Sequence, residues 1–103
     1  MTPAEVDQLT GQQLLHAAMV ADGRCVHLSE FNALEVFCRE ARTMERYVDD
    51  YIVHVLLPTA VDGFPGYVGS RGPDPITACL RAFIKSRRRH AGPVSASPAI
   101  QLP

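Results

Sequence analysis

A mainly α domain is what this sequence predicts, and three observations carry that reading. Two segments, 11–22 and 75–90, set apolar residues at helical spacing behind clear start signals. Between them Leu34, Phe37, Ala41, Met44, Val48, Tyr51 and Val55 recur at alternating steps of three and four, the rhythm of a helical seam. With 47% apolar and 20% charged residues, a chain of 103 residues suffices for one buried core. The expected architecture is a small helical domain with a long central helix, a glycine-rich loop and at most a minor two-stranded β element.

The elements follow in order. Thr2-Pro3-Ala4-Glu5 has the form of a capping box, with proline at the first helical position. Thr10-Gly11-Gln12-Gln13 repeats the device, and Gly23 stands where a glycine ends a helix. Arg24–Leu28 alternates and reads as a short strand or an extended connection. Ser29 then caps the seam, which predicts one helix over 30–57, stopped by Pro58. Such a helix would run about 42 Å, so it either protrudes into a homodimer or breaks. Its weak point is Tyr51–Leu57, a β-branched run. The alternative ends the helix near Asp49 and pairs 51–57 as a strand with 24–28. Gly63, Gly66, Gly69 and Gly72 fall at period three in a long loop over 58–74. Asp74-Pro75 caps the last helix, with Ile76, Cys79, Leu80, Phe83 and Ile84 inward and Thr77, Arg81, Lys85 and Arg88 outward. Leu14, Leu15, Met19, Phe37, Met44, Ile76, Leu80, Phe83 and Ile84 form the expected core. Residues 1–92 read as a single compact domain and 93–103 as a flexible Ser/Ala/Pro-rich tail.

Charge is polarised along the chain. Residues 1–62 carry a balance of −6 and residues 63–103 a balance of +5, for a net −1. The two halves can pair with each other, with another copy, or with an anionic partner. A near-neutral total argues against a general nucleic-acid or membrane binder, and no apolar run approaches a membrane span. Met1–Glu5 lacks the basic and apolar regions of a signal peptide. Cys25, Cys38 and Cys79, an odd number, fit reduced thiols in a cytoplasm.

Few residues are arranged for chemistry. Cys25, His27, Cys38, His54 and Cys79 are zinc-type ligands, but no pair has the usual CxxC or HxxxH spacing, so no metal or cofactor is expected. Ser29, Ser70, Ser86, His16 and His54 sit in no nucleophile frame, so no catalytic residue and no enzyme is expected. Asp49 and Asp50 beside Glu45 could hold a divalent ion, but an exposed acidic face explains them more simply. The glycine-rich loop before a helix has the setting of a phosphate cradle, yet lacks GxxxxGK[ST] and carries Asp74 at the cap. Arg81, Lys85, Arg87, Arg88, Arg89 and His90 make the strongest electrostatic feature, either a phosphate grip or a group that caps the helix dipole and pairs with the acidic half of the same or another subunit.

Two segments resemble the NinX-like family of small tailed-phage accessory proteins. Leu9-Thr10-Gly11-Gln12-Gln13-Leu14-Leu15, ending at Gly23, is similar to the family's opening leucine–x–glycine helix. Gly72 to Ser86 is similar to its closing glycine–proline–x–proline helix with an arginine–aromatic centre. The family's tryptophan- and glycine-rich middle is missing, since the chain has no Trp. The resemblance implies a phage or prophage protein in a bacterial cytoplasm and carries over no catalytic residues.

The reading that follows is a non-enzymatic accessory protein that binds a host or phage protein through Phe64, Tyr67 and Arg71. The alternative is a nucleic-acid-associated protein using Arg81, Lys85, Arg87, Arg88 and Arg89. A third reading is a small anionic ligand held by the loop. A homodimer is expected and a membrane is not.

Overall fold

The computed structural model describes residues 2–23, 26–58, 63, 64 and 66–91, with side chains through Arg87. Helix α1 (Pro3–Gln8) starts on the expected capping box: Thr2 Oγ1 accepts from the Glu5 amide at 3.2 Å, and Glu5 Oε1 accepts from the Thr2 amide at 2.6 Å. Helix α2 (Gly11–Asp22) ends on Gly23, whose φ of 77° lets its amide reach the Met19 and Val20 carbonyls at 3.1 Å each. Thr10 takes the extended N-cap geometry there without a side-chain bond.

The long central helix does not form. Ser29 lies in a 3-10 turn (Leu28–Glu30), and Asn32 is the cap of α3 (Ala33–Glu40), accepting from the Leu34 and Glu35 amides at 2.9 and 3.3 Å. At Ala41 the backbone turns extended, and the chain continues as β1 (Ala41–Arg46) and β2 (Tyr51–Leu56). A tight turn joins them, closed by the Tyr47 amide donating to the Asp50 carbonyl at 2.7 Å. Residues 67–72, expected in the glycine-rich loop, are a third strand, β3 (Tyr67–Gly72). The sheet is antiparallel, in the order β1-β2-β3. The mainly α class with at most a two-stranded element is therefore corrected to a helix-rich α+β fold with a three-stranded sheet. The physical reason is burial: Val53 and Val55 are fully buried as strand residues with a partner strand on each side. A continuous helix of about 42 Å would also exceed the 35 Å longest dimension of the molecule. With that helix goes the protruding seam that suggested a dimer. Residues 51–57 do contain the strand of the alternative reading, but it pairs with 41–46 and 67–72. Arg24 and Cys25 of the proposed partner segment, and the tail 93–103, lie outside the described residues.

Helix α4 (Pro75–Ala91) holds the layers together. Asp74 caps it as expected, accepting from the Thr77 amide at 2.8 Å and the Thr77 hydroxyl at 2.9 Å. Ala78, Cys79 and Ala82 pack on Val53, Val55 and Val68 of the sheet. Leu80, Phe83 and Ile84 pack on Val6, Leu14, Ala18, Phe31 and Val36 of the helical layer. Of the expected core, Leu15, Met19, Phe37 and Ile76 are partly buried at its margins. Met44 is an error of register: it stands 52% exposed on an edge strand rather than on a helical seam.

Gly72 sets how close α4 lies to the sheet. A Cβ there would sit 2.7 Å from the Ala78 nitrogen, a backbone atom that cannot rotate away. At Gly66 the obstacle is the Leu57 Cδ1 at 2.6 Å, the far end of a flexible side chain. Gly72→Ala should therefore cost about 1–3 kcal/mol and Gly66→Ala less than about 1 kcal/mol, compared by urea unfolding.

Candidate functional site

Strand alternation sends Val53, Val55, Val68, Ser70 and Gly72 toward α4 and leaves Ile52, His54, Leu56, Tyr67, Gly69 and Arg71 on the opposite face. No described element covers that outer face. The register lines up three rows across it: Thr43–His54–Gly69, Glu45–Ile52–Arg71, and Leu56–Tyr67. His54 Nδ1 and Thr43 Oγ1 share a hydrogen bond at 3.0 Å. The imidazole lies against Gly69, where a Cβ would come within 2.6 Å of Nε2. A side chain at 69 would have to displace the ring, and glycine lets it lie against the strand.

Arg71 projects from this face with its side chain 63% exposed. Its Nε and Nη2 donate to the two Asp50 carboxylate oxygens at 2.7 and 3.2 Å, and its guanidinium stands 5.4 Å from the centre of the Tyr47 ring. The bond to Asp50 raises the guanidinium pKa further above its ordinary value. Tyr47 donates to Glu45 Oε1 at 3.1 Å, and this bond pushes the phenol above the ordinary tyrosine range. Of the three residues named for partner binding, Tyr67 and Arg71 thus share one sheet face, separated by the side-chain-free Gly69. Phe64, 74% exposed, precedes β3.

The basic helix is placed differently from expectation. Arg81 and Lys85 do not point to solvent. Arg81 donates through Nη1 to the Arg71 carbonyl and through Nη2 to the Leu9 carbonyl, both at 3.0 Å. Lys85 Nζ donates to Asp7 Oδ1 at 2.7 Å and to Ser70 Oγ at 3.0 Å, with its side chain only 15% exposed. Arg87 reaches Glu40 at 3.3 Å, its guanidinium 4.5 Å from the Phe83 ring centre. The side chains of Arg88 and Arg89 lie outside the described residues. Three of the five cations named for nucleic-acid binding are therefore engaged inside the molecule.

Asp7, Ser70, Arg71, Arg81 and Lys85 line a cleft of about 590 Å³ along residues 69–73. Ser70 Oγ receives a hydrogen from Lys85 and gives its own to Asp7 at 3.4 Å. No imidazole stands in this network, and both polar neighbours of the hydroxyl are already paired to each other. The arrangement ties α1 to β3 and α4. Asp7 was invisible to sequence reasoning, because its partner lies 78 residues away. The outer-face row was not invisible: Tyr67, Gly69 and Arg71 alternate with Val68 and Ser70, a strand signal masked by the glycines.

The candidate zinc ligands are dispersed. Cys79 is buried under the sheet, Cys38 is exposed on α3, and His54 is on the outer face; Cys25 lies outside the described residues. No group of three metal-type ligands occurs among the described residues, and no described helix is long and apolar enough to cross a membrane. No family model matches the chain, and no curated protein and no solved structure matches it.

Burial, reinforced by the Glu40 carboxylate, pushes the Cys79 thiol up to about 12. The thiolate is the reactive form, so at pH 8 iodoacetamide should alkylate Cys38 in the native protein and spare Cys79. Peptide mass mapping before and after unfolding in guanidinium reads the difference, and Cys79 should label only after unfolding.

Proposed function

We propose that this chain is a non-enzymatic accessory module that binds a host or phage protein through the outer face of its sheet. The observation that carries the reading is a sheet with one face packed on α4 and the other covered by no described element, presenting Tyr67 at 54% exposure beside Arg71 and the half-buried Ile52, His54 and Leu56. A small protein that leaves aromatic, aliphatic and guanidinium groups together on one face has the composition of an interface centre. The resemblance to the NinX-like family supplies the setting, a phage or prophage protein acting in a bacterial cytoplasm. The same reading takes the module as a homodimer. Engagement of Arg81, Lys85 and Arg87 within the chain favours a protein partner over nucleic acid.

Affinity capture of tagged protein from bacterial lysate, with and without nuclease, tests the reading by mass spectrometry. A defined protein should survive nuclease and be lost from the Phe64→Ala/Tyr67→Ala/Arg71→Ala variant. Binding that disappears with nuclease, or that the triple variant retains in full, would overturn it.

A further inference from the structure

β1 and β3 are the two edges of the sheet, and they differ in how they face solvent. β1 carries Arg42, Glu45 and Arg46 and a register break between Ala41 and Thr43, two features that discourage pairing with another strand. β3 has no bulge, no proline and two glycines; its one charged residue is Arg71, and Arg81 reaches one of its outward carbonyls. The cleft of about 590 Å³ along residues 69–73 leaves space beside it.

The direction of its free backbone groups follows from two bonds. The Leu57 amide donates to the Gly66 carbonyl at 2.8 Å, so in antiparallel pairing residues 66, 68, 70 and 72 turn their amides and carbonyls toward β2. Arg81 reaches the Arg71 carbonyl at 3.0 Å from the other side, which sets the same parity independently. Tyr67, Gly69 and Arg71 therefore direct their backbone groups away from β2.

We infer that this edge pairs antiparallel with β3 of a second copy of the chain, about a two-fold axis at Gly69, to make a continuous six-stranded sheet. Self-complementarity of the register carries the inference. Pairing about Gly69 sets Tyr67 opposite the partner's Arg71, and Arg71 opposite the partner's Tyr67, on the outer face. Each pair matches an aromatic ring with a guanidinium, and Arg71 already stands beside Tyr47 in its own chain. On the inner face Val68 meets the partner's Ser70, and at the axis two glycines meet with no side chain between them. The arrangement is isologous, closes at two copies and consumes the open edge of each. Arg71 can keep its Arg81 contact, since a carbonyl oxygen accepts two hydrogen bonds. This deepens the homodimer of the proposed function and rests on that reading for its stoichiometry: the partner-binding face becomes one surface spanning both copies, with the Tyr67–Arg71 pairs at its centre.

Sedimentation equilibrium of the protein alone tests the pairing, so it does not depend on whether the outer face binds anything. The native chain should tend to twice 11.3 kDa as concentration rises. Tyr67→Arg sets arginine opposite arginine at both symmetric positions and should raise the dimer dissociation constant about tenfold or more. The swap Tyr67→Arg/Arg71→Tyr recreates both pairs in reverse and should recover the native constant; circular dichroism verifies that each variant is folded. A native chain that stays at 11.3 kDa up to near-millimolar concentration would overturn the inference. So would a Tyr67→Arg variant that dimerises as the native chain does, or a swap that fails to recover.

Discussion

Everything in this fold depends on α4 being buried from two sides at once. One side of the helix is small, with Ala78, Cys79 and Ala82, and lets the valines of β2 and β3 approach closely. The other side is large, with Leu80, Phe83 and Ile84, and needs the deeper socket that α1, α2 and α3 provide. A helix apolar on both sides is stable only when both are covered. That requirement recruits the sheet on one side and the short helices on the other. It also explains Gly72, which stands where the strand end and the first turn of the helix come closest. Ser86, fully buried, satisfies its hydroxyl by donating to the Phe83 carbonyl at 2.7 Å, so α4 keeps no unpaired hydroxyl on its buried side there.

The polarised charge has a structural use. Among the described residues three ion pairs join the acidic first part of the chain to the basic last part: Asp7 with Lys85, Glu40 with Arg87, and Asp50 with Arg71. They fasten α1, the end of α3 and the β1–β2 turn to the C-terminal β3–α4 unit. The exposed Arg71–Asp50 pair adds little stability, as surface pairs do, and orients Arg71 on the outer face instead. Lys85 and Arg81 lie deeper and satisfy carbonyls and a hydroxyl that burial would otherwise strand. An electrostatic feature that in sequence reads as a surface for anions is, over much of its length, an internal fastening.

What the described elements leave uncovered is one face of the sheet and its two edges. Three strands with helices on a single side expose the opposite face by construction, and here that face combines Tyr67, Arg71, His54 and two aliphatic residues. β1 is defended by its charges and its bulge, whereas β3 has no register break and two glycines. The proposed function and the pairing of β3 both arise from these open surfaces, and neither draws on a reaction centre.

Elements determined locally were legible in the sequence. The capping box at Thr2, the left-handed Gly23, the Asp74 cap and the helices around Leu14 and Phe83 are specified by residues within a few positions of each other. Residues 41–46 were not legible as a strand, because Glu, Arg, Ala and Met favour a helix there, and the β-branched run 51–57 read as a strand only in the alternative, with a different partner. Their turn, Tyr47–Asp50, contains no glycine or asparagine to announce it. The glycines of 63–72 suggested a loop because their reasons lie elsewhere in the chain, in the His54 ring and the backbone of α4. The outer-face site was half visible: Tyr67 and Arg71 stood out, but His54 and Asp50 joined them only through strand register and the hairpin turn. By itself, then, the sequence determined where helices start and stop, since caps and helical periodicity act over one or two turns. Only the tertiary structure decided that 41–56 and 67–72 are strands and that Arg81 and Lys85 turn inward, since strand pairing and burial are settled by residues far apart in the chain.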